Sequence, residues 1–276
     1  MPTPLPRYAV IDKQVGETPL QALERYRTDS GITKEIPLAY AGRLDPLATG
    51  MLLILIGDEC KNQTAYHKLD KVYEFSVLFG VGSDTYDPLG RLIFSDPPFI
   101  EVSSLQRLCR EMQGTLTIPY PPFSAKTVHG KPLHTWTLEG RLSEITIPVQ
   151  ISKVYRLQLN SVRYISALDI YKDVLFRINR IQTVTDPKKA IGADFRRADV
   201  RADWEVFLKK YENVMFPVAN LYCIASSGTY MRSLAHYLGE RLSTPALAFS
   251  IHRNKIGKYR HLGRWGLFTR QFRLRA

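Results

Sequence analysis

Strand and helix signals mix along this chain without regular alternation. That pattern predicts an α+β fold around a mixed, largely antiparallel sheet flanked by helices, and argues against a doubly wound parallel sheet. Tyr73, Phe75, Val77 and Phe79 alternate within one apolar segment, as a half-buried strand requires. At 276 residues with 45% hydrophobic content, the chain can bury a substantial core as one large domain or two smaller ones.

The elements follow in order. Tyr8 to Lys13 reads as a short first strand, and Thr18 to Ser30 as an amphipathic helix carrying Leu20, Leu23 and Tyr26. Gly31 to Ala41 reads as a connecting loop. Met51 to Gly57 is a buried strand, and Asp58 to His67 a helix opening on an acid. Val72 to Gly80 is the alternating strand; Gly82 to Gly90 is rich in turn residues; Val102 to Gln113 is a helix ended by Gly114. Pro119, Pro121 and Pro122 open a loop-rich excursion. Ser152 to Tyr164 and Leu168 to Gln182 read as a strand hairpin. Thr183 to Asn213 is charged and uneven, with a helix over Asp199 to Tyr211. Val214 to Ala225 is a strand, Tyr230 to Leu242 a helix, and Ala246 to Ile251 a last short strand before a basic tail.

Charge and cysteine content narrow the classes. Net charge is +12, which favours a polyanionic partner. His252 to Ala276 holds eight Lys or Arg and no acid, interleaved with Tyr259, Trp265, Phe268 and Phe272. Cations for phosphates and rings for bases suit a nucleic-acid surface, and a solvated tail docked on the core is the plainer alternative. The longest apolar run, Met51 to Ile56, is too short to span a bilayer, and the first residues carry no export signal. Cys60, Cys109 and Cys223 are odd in number and far apart, as free thiols of a reducing compartment are. The histidines show no metal-ligand spacing.

One stretch carries chemistry. Gly42-Arg43-Leu44-Asp45-Pro46-Leu47-Ala48-Thr49-Gly50 sets a carboxylate in a tight turn between glycines, before an apolar strand. A catalytic carboxylate needs such fixing. The same residues also suit a helix N-cap, with Pro46 at the first helical position.

Leu-Asp-Pro-Leu-Ala-Thr-Gly closely resembles the catalytic motif of the TruB family of tRNA pseudouridine synthases. Three further segments resemble that family in the same order. They are Lys71-Val72-Tyr73 with the loop to Asp87; Pro121 to Ala125 with Gly130 to Leu133, like the family's RNA-gripping thumb; and Ser226 to Leu234 around Arg232. The resemblance implies a pseudouridine synthase fold over residues 1–251, with the thumb-like insertion at about 118–150, an unplaced insertion at about 183–213, and a basic tail over 252–276.

It also implies the chemistry. A C1′–N1 bond breaks, the uracil turns, and a C1′–C5 bond forms, with no redox change and so no cofactor or metal. Asp45 is the essential carboxylate, Arg232 pairs with it, Tyr73 stacks on the flipped uracil and Tyr230 lines the pocket. The substrate implied is the T-loop uridine at position 55 of tRNA, in the cytoplasm, with no membrane and no protein partner, by a monomer. Tyr40, Lys126, His129, Lys131, Arg253, Lys255 and Lys258, with Arg141, would hold the T arm. Lys13 reads as fold support or as a surface lysine, and Leu55 and Leu234 as core.

The sequence departs from the family at Tyr40, where a histidine is usual, and at Gln14 and Pro19. It leaves no room for the C-terminal PUA-type module of many members, so the basic tail is expected to substitute in part. Gly42-Arg43-Leu44-Asp45 resembles the RluA and RsuA branches, which keeps ribosomal RNA open as substrate. An RNA-binding or RNA-folding protein on the same scaffold is the other alternative. A glycoside hydrolase lacks an evident second carboxylate.

Overall fold

The computed structural model describes residues 5–182, 194, 196–262 and 265–274. Its elements run β1 (Tyr8–Lys13), α1 (Pro19–Asp29), β2 (Leu38–Ala41), β3 (Thr49–Ile56), α2 (Gln63–His67), β4 (Asp70–Phe79), β5 (Val81–Ser83), β6 (Leu92–Phe94), α3 (Val102–Glu111) and β7 (Gly114–Pro119). Then follow β8 (Thr127–Val128), β9 (Lys131–Pro132), α4 (Leu133–Leu138), β10 (Val149–Ser166), α5 (Ala167–Asn179), α6 (Arg197–Tyr211), β11 (Met215–Ala225), α7 (Met231–Arg241), β12 (Ala246–Leu262) and β13 (Trp265–Phe272).

Nine strands form one sheet in the order β1-β3-β12-β4-β11-β10-β7, with β13 on β12 and β2 on β3. Among the described residues every pairing is antiparallel except β12 on β3, at His252↔Thr49 and Arg253↔Gly50. The architecture is the predicted α+β fold. One face carries Tyr73, Phe75, Val77 and Phe79, buried with residues of α3 and α7. The far face is covered at its Leu78, Val218 and Phe249 end by α5 and α6.

Several elements differ from the sequence reading. Residues 167–179 form α5 and not a second hairpin strand. Ile170, Val174 and Ile178 are apolar every fourth residue and buried, and the Ser166 hydroxyl caps the helix by accepting from the Asp169 amide at 3.1 Å. The β-branched residues on that stripe read equally well as strand. The stretch 31–41 contains β2, whose four residues are too few to show a period. The segment 58–67 divides into a 3-10 turn over Gly57–Asn62 and α2. In α1 the buried residues are Ala22 and Leu23, while Leu20 is exposed. The expected insertion at 183–213 falls partly outside the described residues. Its described part is α6, which buries Val200, Trp204, Phe207 and Tyr211.

The last strand does not stop at Ile251. β12 runs on to Leu262, and β13 folds back on it with Phe272 opposite Ile256. Phe272 is buried against Tyr8 and Tyr66. The basic segment, expected as a tail, is therefore part of the sheet. The excursion after Pro119 leaves and rejoins the sheet at one place. β7 ends at Pro119 and β10 begins at Val149, and these two residues face each other in the ladder.

Candidate active site

Asp45 sits in the loop between β2 and β3. This loop is a turn closed by the Ala48 amide on the Asp45 carbonyl at 3.0 Å, and no helix follows it, so the N-cap alternative does not hold. Two buried cations hold the loop from beneath by its carbonyls. Lys13, fully buried, donates to Gln14 O at 2.9 Å, Pro46 O at 3.2 Å and Ala48 O at 2.7 Å. Arg253, 1% exposed, donates to Met51 O at 2.7 Å, Gly42 O at 3.1 Å and Arg43 O at 3.2 Å. Gly50 has φ +99°, and a Cβ there would overlap the Arg253 backbone, so glycine is required where β3 crosses β12.

Arg232 comes from the first turn of α7. Its Nε and Nη2 donate to the two Asp45 carboxylate oxygens at 2.8 and 3.1 Å, a bidentate pair. Nη1 donates to Thr85 O at 2.7 Å, and Nη2 also reaches Phe123 O in the thumb at 3.3 Å. Three chain segments thus converge on one guanidinium. Burial would pull its pKa down, but the charges of Asp45 and Asp87 outweigh that and raise it. The Arg232 side chain is 5% exposed and that of Asp45 38%, so the carboxylate keeps one open edge.

Asp87 is a buried carboxylate beside the pair that the sequence analysis does not single out. It is buried, with Oδ2 3.8 Å from Arg232 Nε, and Oδ1 accepting from Thr85 Oγ1 at 2.7 Å and Leu89 N at 2.9 Å. Burial pushes its carboxyl upward, Arg232 opposes, and Asp45 adds to the rise. Its signal is the Ser83-Asp84-Thr85-Tyr86-Asp87 run, which the sequence analysis places in a turn-rich loop and in a segment resembling the family, without assigning Asp87 a role. Tyr86 in that run has φ +63° and stacks on His236 of α7 at 3.9 Å between centroids, which pins the loop against the helix that carries Arg232.

Tyr73 and Tyr230 complete the group. Tyr73, on β4, is 8% exposed, and burial raises its hydroxyl pKa. Tyr230 immediately precedes α7, packs edge-on against Tyr120 at 5.7 Å, and is raised by burial and by the Asp45 charge. Leu234 and Leu55 are fully buried core.

The expected RNA-contacting residues separate into two groups. Lys126 and His129 are exposed on the thumb, and Lys255 and Lys258 are exposed on β12. Lys131 is paired with Glu139 at 2.6 Å and Arg141 with Glu144 at 2.7 Å. Tyr40 lies in β2 opposite Ile54, and its ring packs on the cluster beneath β3. Arg253 is a correction: it is buried, with its guanidinium spent on the loop carbonyls, and presents nothing to a phosphate.

The chain superimposes on a chain of the crystal structure of a Cbf5-Nop10-Gar1 complex with a TM-score of 0.53 at 14% identity, over 91% of this chain and 49% of that one. The family described as TruB family pseudouridylate synthase (N terminal domain) matches residues 32–178, more than half of the chain. The chain belongs to that family. It is 25% identical over 250 residues to tRNA pseudouridine synthase B of Caldicellulosiruptor saccharolyticus, covering 91% of this chain and 67% of the relative. It is 33% identical over 152 residues to the protein of that name from Aquifex aeolicus, covering 55% and 51%, and 25% identical over 256 residues to that from Chloroherpeton thalassium, covering 91% and 83%.

Proposed function

We propose that this chain is a tRNA pseudouridine synthase that isomerises the T-loop uridine at position 55, with Asp45 as the essential carboxylate. The single observation that carries the reading is the bidentate Arg232–Asp45 pair with one edge of the carboxylate open. Arg232 fixes the Asp45 rotamer through the bidentate pair, and the loop carbonyls held by Lys13 and Arg253 fix its backbone.

The reaction is an isomerisation. The C1′–N1 bond breaks, C5 of the turned uracil bonds to C1′, the C5 proton leaves, and N1 gains a proton. Atoms and electrons balance within the nucleoside, so no co-reactant is needed. A folded RNA hides its uridine in a stack, so the base must be flipped out, at a cost of a few kcal/mol. Exposed Lys126 and His129 on the thumb and Lys258 on β12 are offered to the RNA backbone as compensation. Tyr73 is the platform for the uracil and Tyr230 the wall beside it.

The test is pseudouridine mapping on an unmodified tRNA transcript and, in competition, a ribosomal RNA fragment. Conversion of the T-loop uridine alone is expected. Conversion of the ribosomal fragment alone, or binding of tRNA without conversion, would contradict the proposal.

A further inference from the structure

The row Leu157, Cys223, Tyr73 and Arg253, paired across β10, β11, β4 and β12, faces the Asp45 side of the sheet. The next row, Gln158, Tyr222, Glu74 and His252, points to the far face. α5 and α6 cover the other end of that face, and here Gln158, Glu74 and His252 are exposed. A groove of about 930 Å³ runs from this row past β10, beyond the Val154 end of its β7 pairing, to α3 on the Tyr73 side, with the β12–β13 hairpin as its other wall.

Its lining is selective. Among the described residues, Arg110, Arg156 and Lys255 line it and no Asp or Glu does, while Tyr155, Tyr222, Tyr259 and Phe268 supply rings. Arg156 lies over the Tyr222 ring at 5.8 Å and reaches the Gln158 amide at 2.6 Å, with no carboxylate between. Asp70, behind the wall, is taken up by the Tyr155 hydroxyl at 3.2 Å and the Tyr259 amide at 2.8 Å. Glu74 stands at the rim on β4, opposite Tyr222. Cations alternating with rings and side-chain amides match a single-stranded polynucleotide: phosphates to the cations, base faces to the rings, base edges to the amides. An acidic peptide would use the cations and leave the rings without partners.

We propose that this groove, which neither Asp45 nor Arg232 lines, is a second RNA-binding site holding a single-stranded stretch of RNA. The choice of RNA as the polymer rests on the proposed function; the charge and ring pattern does not.

The probe is a fluorescein-labelled uridine dodecamer, titrated by anisotropy at several salt concentrations against the full chain. Removing the charges in the triple variant R110Q/R156Q/K255Q is expected to weaken binding at least tenfold and to lower the slope of log affinity against log salt by about 2, from three lost contacts at roughly 0.7 each. The charge-preserving triple R110K/R156K/K255R is expected to keep the slope. Tyr222→Ala is expected to weaken binding at least fivefold. Unchanged affinity and slope in the charge-removing triple would overturn the proposal, as would equal losses in both triples. Pseudouridine formation on a tRNA transcript is measured in parallel. If wild-type protein makes none while the dodecamer results stand, the proposed function falls and the groove does not.

Discussion

Arg232 and Asp45 meet through two N–H···O contacts at 2.8 and 3.1 Å although 187 residues separate them in the chain. Their meeting depends on Thr85 and Phe123, whose carbonyls accept from the same guanidinium. The thumb, the loop after β5 and the start of α7 are therefore tied to the carboxylate through one side chain.

Asp87 is the second anion on that guanidinium, and it touches no open surface. Asp87→Asn keeps its shape and removes a charge 3.8 Å from Arg232. Arg232 is then balanced by Asp45 alone, and the arrangement of the pair relaxes. The expected result is a kcat lowered about 10- to 100-fold, or about 1.4–2.8 kcal/mol of transition-state stabilisation, with RNA affinity within twofold. Single-turnover rates and a binding titration check it; unchanged kcat would contradict it.

Tyr73 has two separable parts, a ring and a buried hydroxyl. Tyr73→Phe keeps the stacking surface, so RNA binding should hold. If the hydroxyl moves the C5 proton, turnover falls about 100-fold or more, in the range of general acid–base catalysis. Rapid-quench measurement of pseudouridine formation distinguishes this from a merely structural ring, which predicts wild-type turnover.

Arg253 braces the Asp45 loop from below. Arg253→Met leaves the carbonyls of Gly42, Arg43 and Met51 without their donor. The expected cost is about 2–4 kcal/mol in urea unfolding. The salt dependence of RNA binding should stay unchanged, because this cation meets no phosphate. A reduced salt slope with normal stability would return Arg253 to the RNA surface.

Burial lowers Lys13 from 10.5 to about 8 and Lys71 from 10.5 to about 7. In the unfolded chain both bind a proton up to about pH 10.4, so between these values the unfolded state holds more protons and stability rises with pH. The gain begins near pH 7 for Lys71 and near pH 8 for Lys13. It is absent below about pH 7, where both states are protonated, and each lysine adds at most about 1.4 kcal/mol per pH unit. Urea unfolding of the wild type and of Lys71→Met between pH 6.5 and 9 measures it. The variant should show the shallower rise, and parallel curves would contradict the assignment.

The grouping of Asp45, Arg232, Tyr73 and Tyr230 is easier to read from the sequence than the element boundaries, because short contiguous motifs carry all four. Asp87 was not legible, because a carboxylate in a run of turn residues looks solvated until burial and Arg232 are known. Lys13 and Arg253 are cations fully absorbed by backbone carbonyls, and charge counting cannot separate such residues from phosphate contacts. The strand β12 was cut short for the same reason: its basic outer residues hid the buried Ile256 and the return of Phe272. Residues 167–179 misled because β-branched residues at a spacing of four satisfy both periods.

The most direct measurement is site-resolved pseudouridine mapping on an unmodified tRNA transcript after incubation with wild-type protein, Asp45→Ala or Asp45→Asn. A new pseudouridine in the T loop with wild type, and none with either variant while both still bind the transcript, is the predicted result. Equal modification by wild type and Asp45→Asn would contradict the assignment of Asp45 as the essential carboxylate.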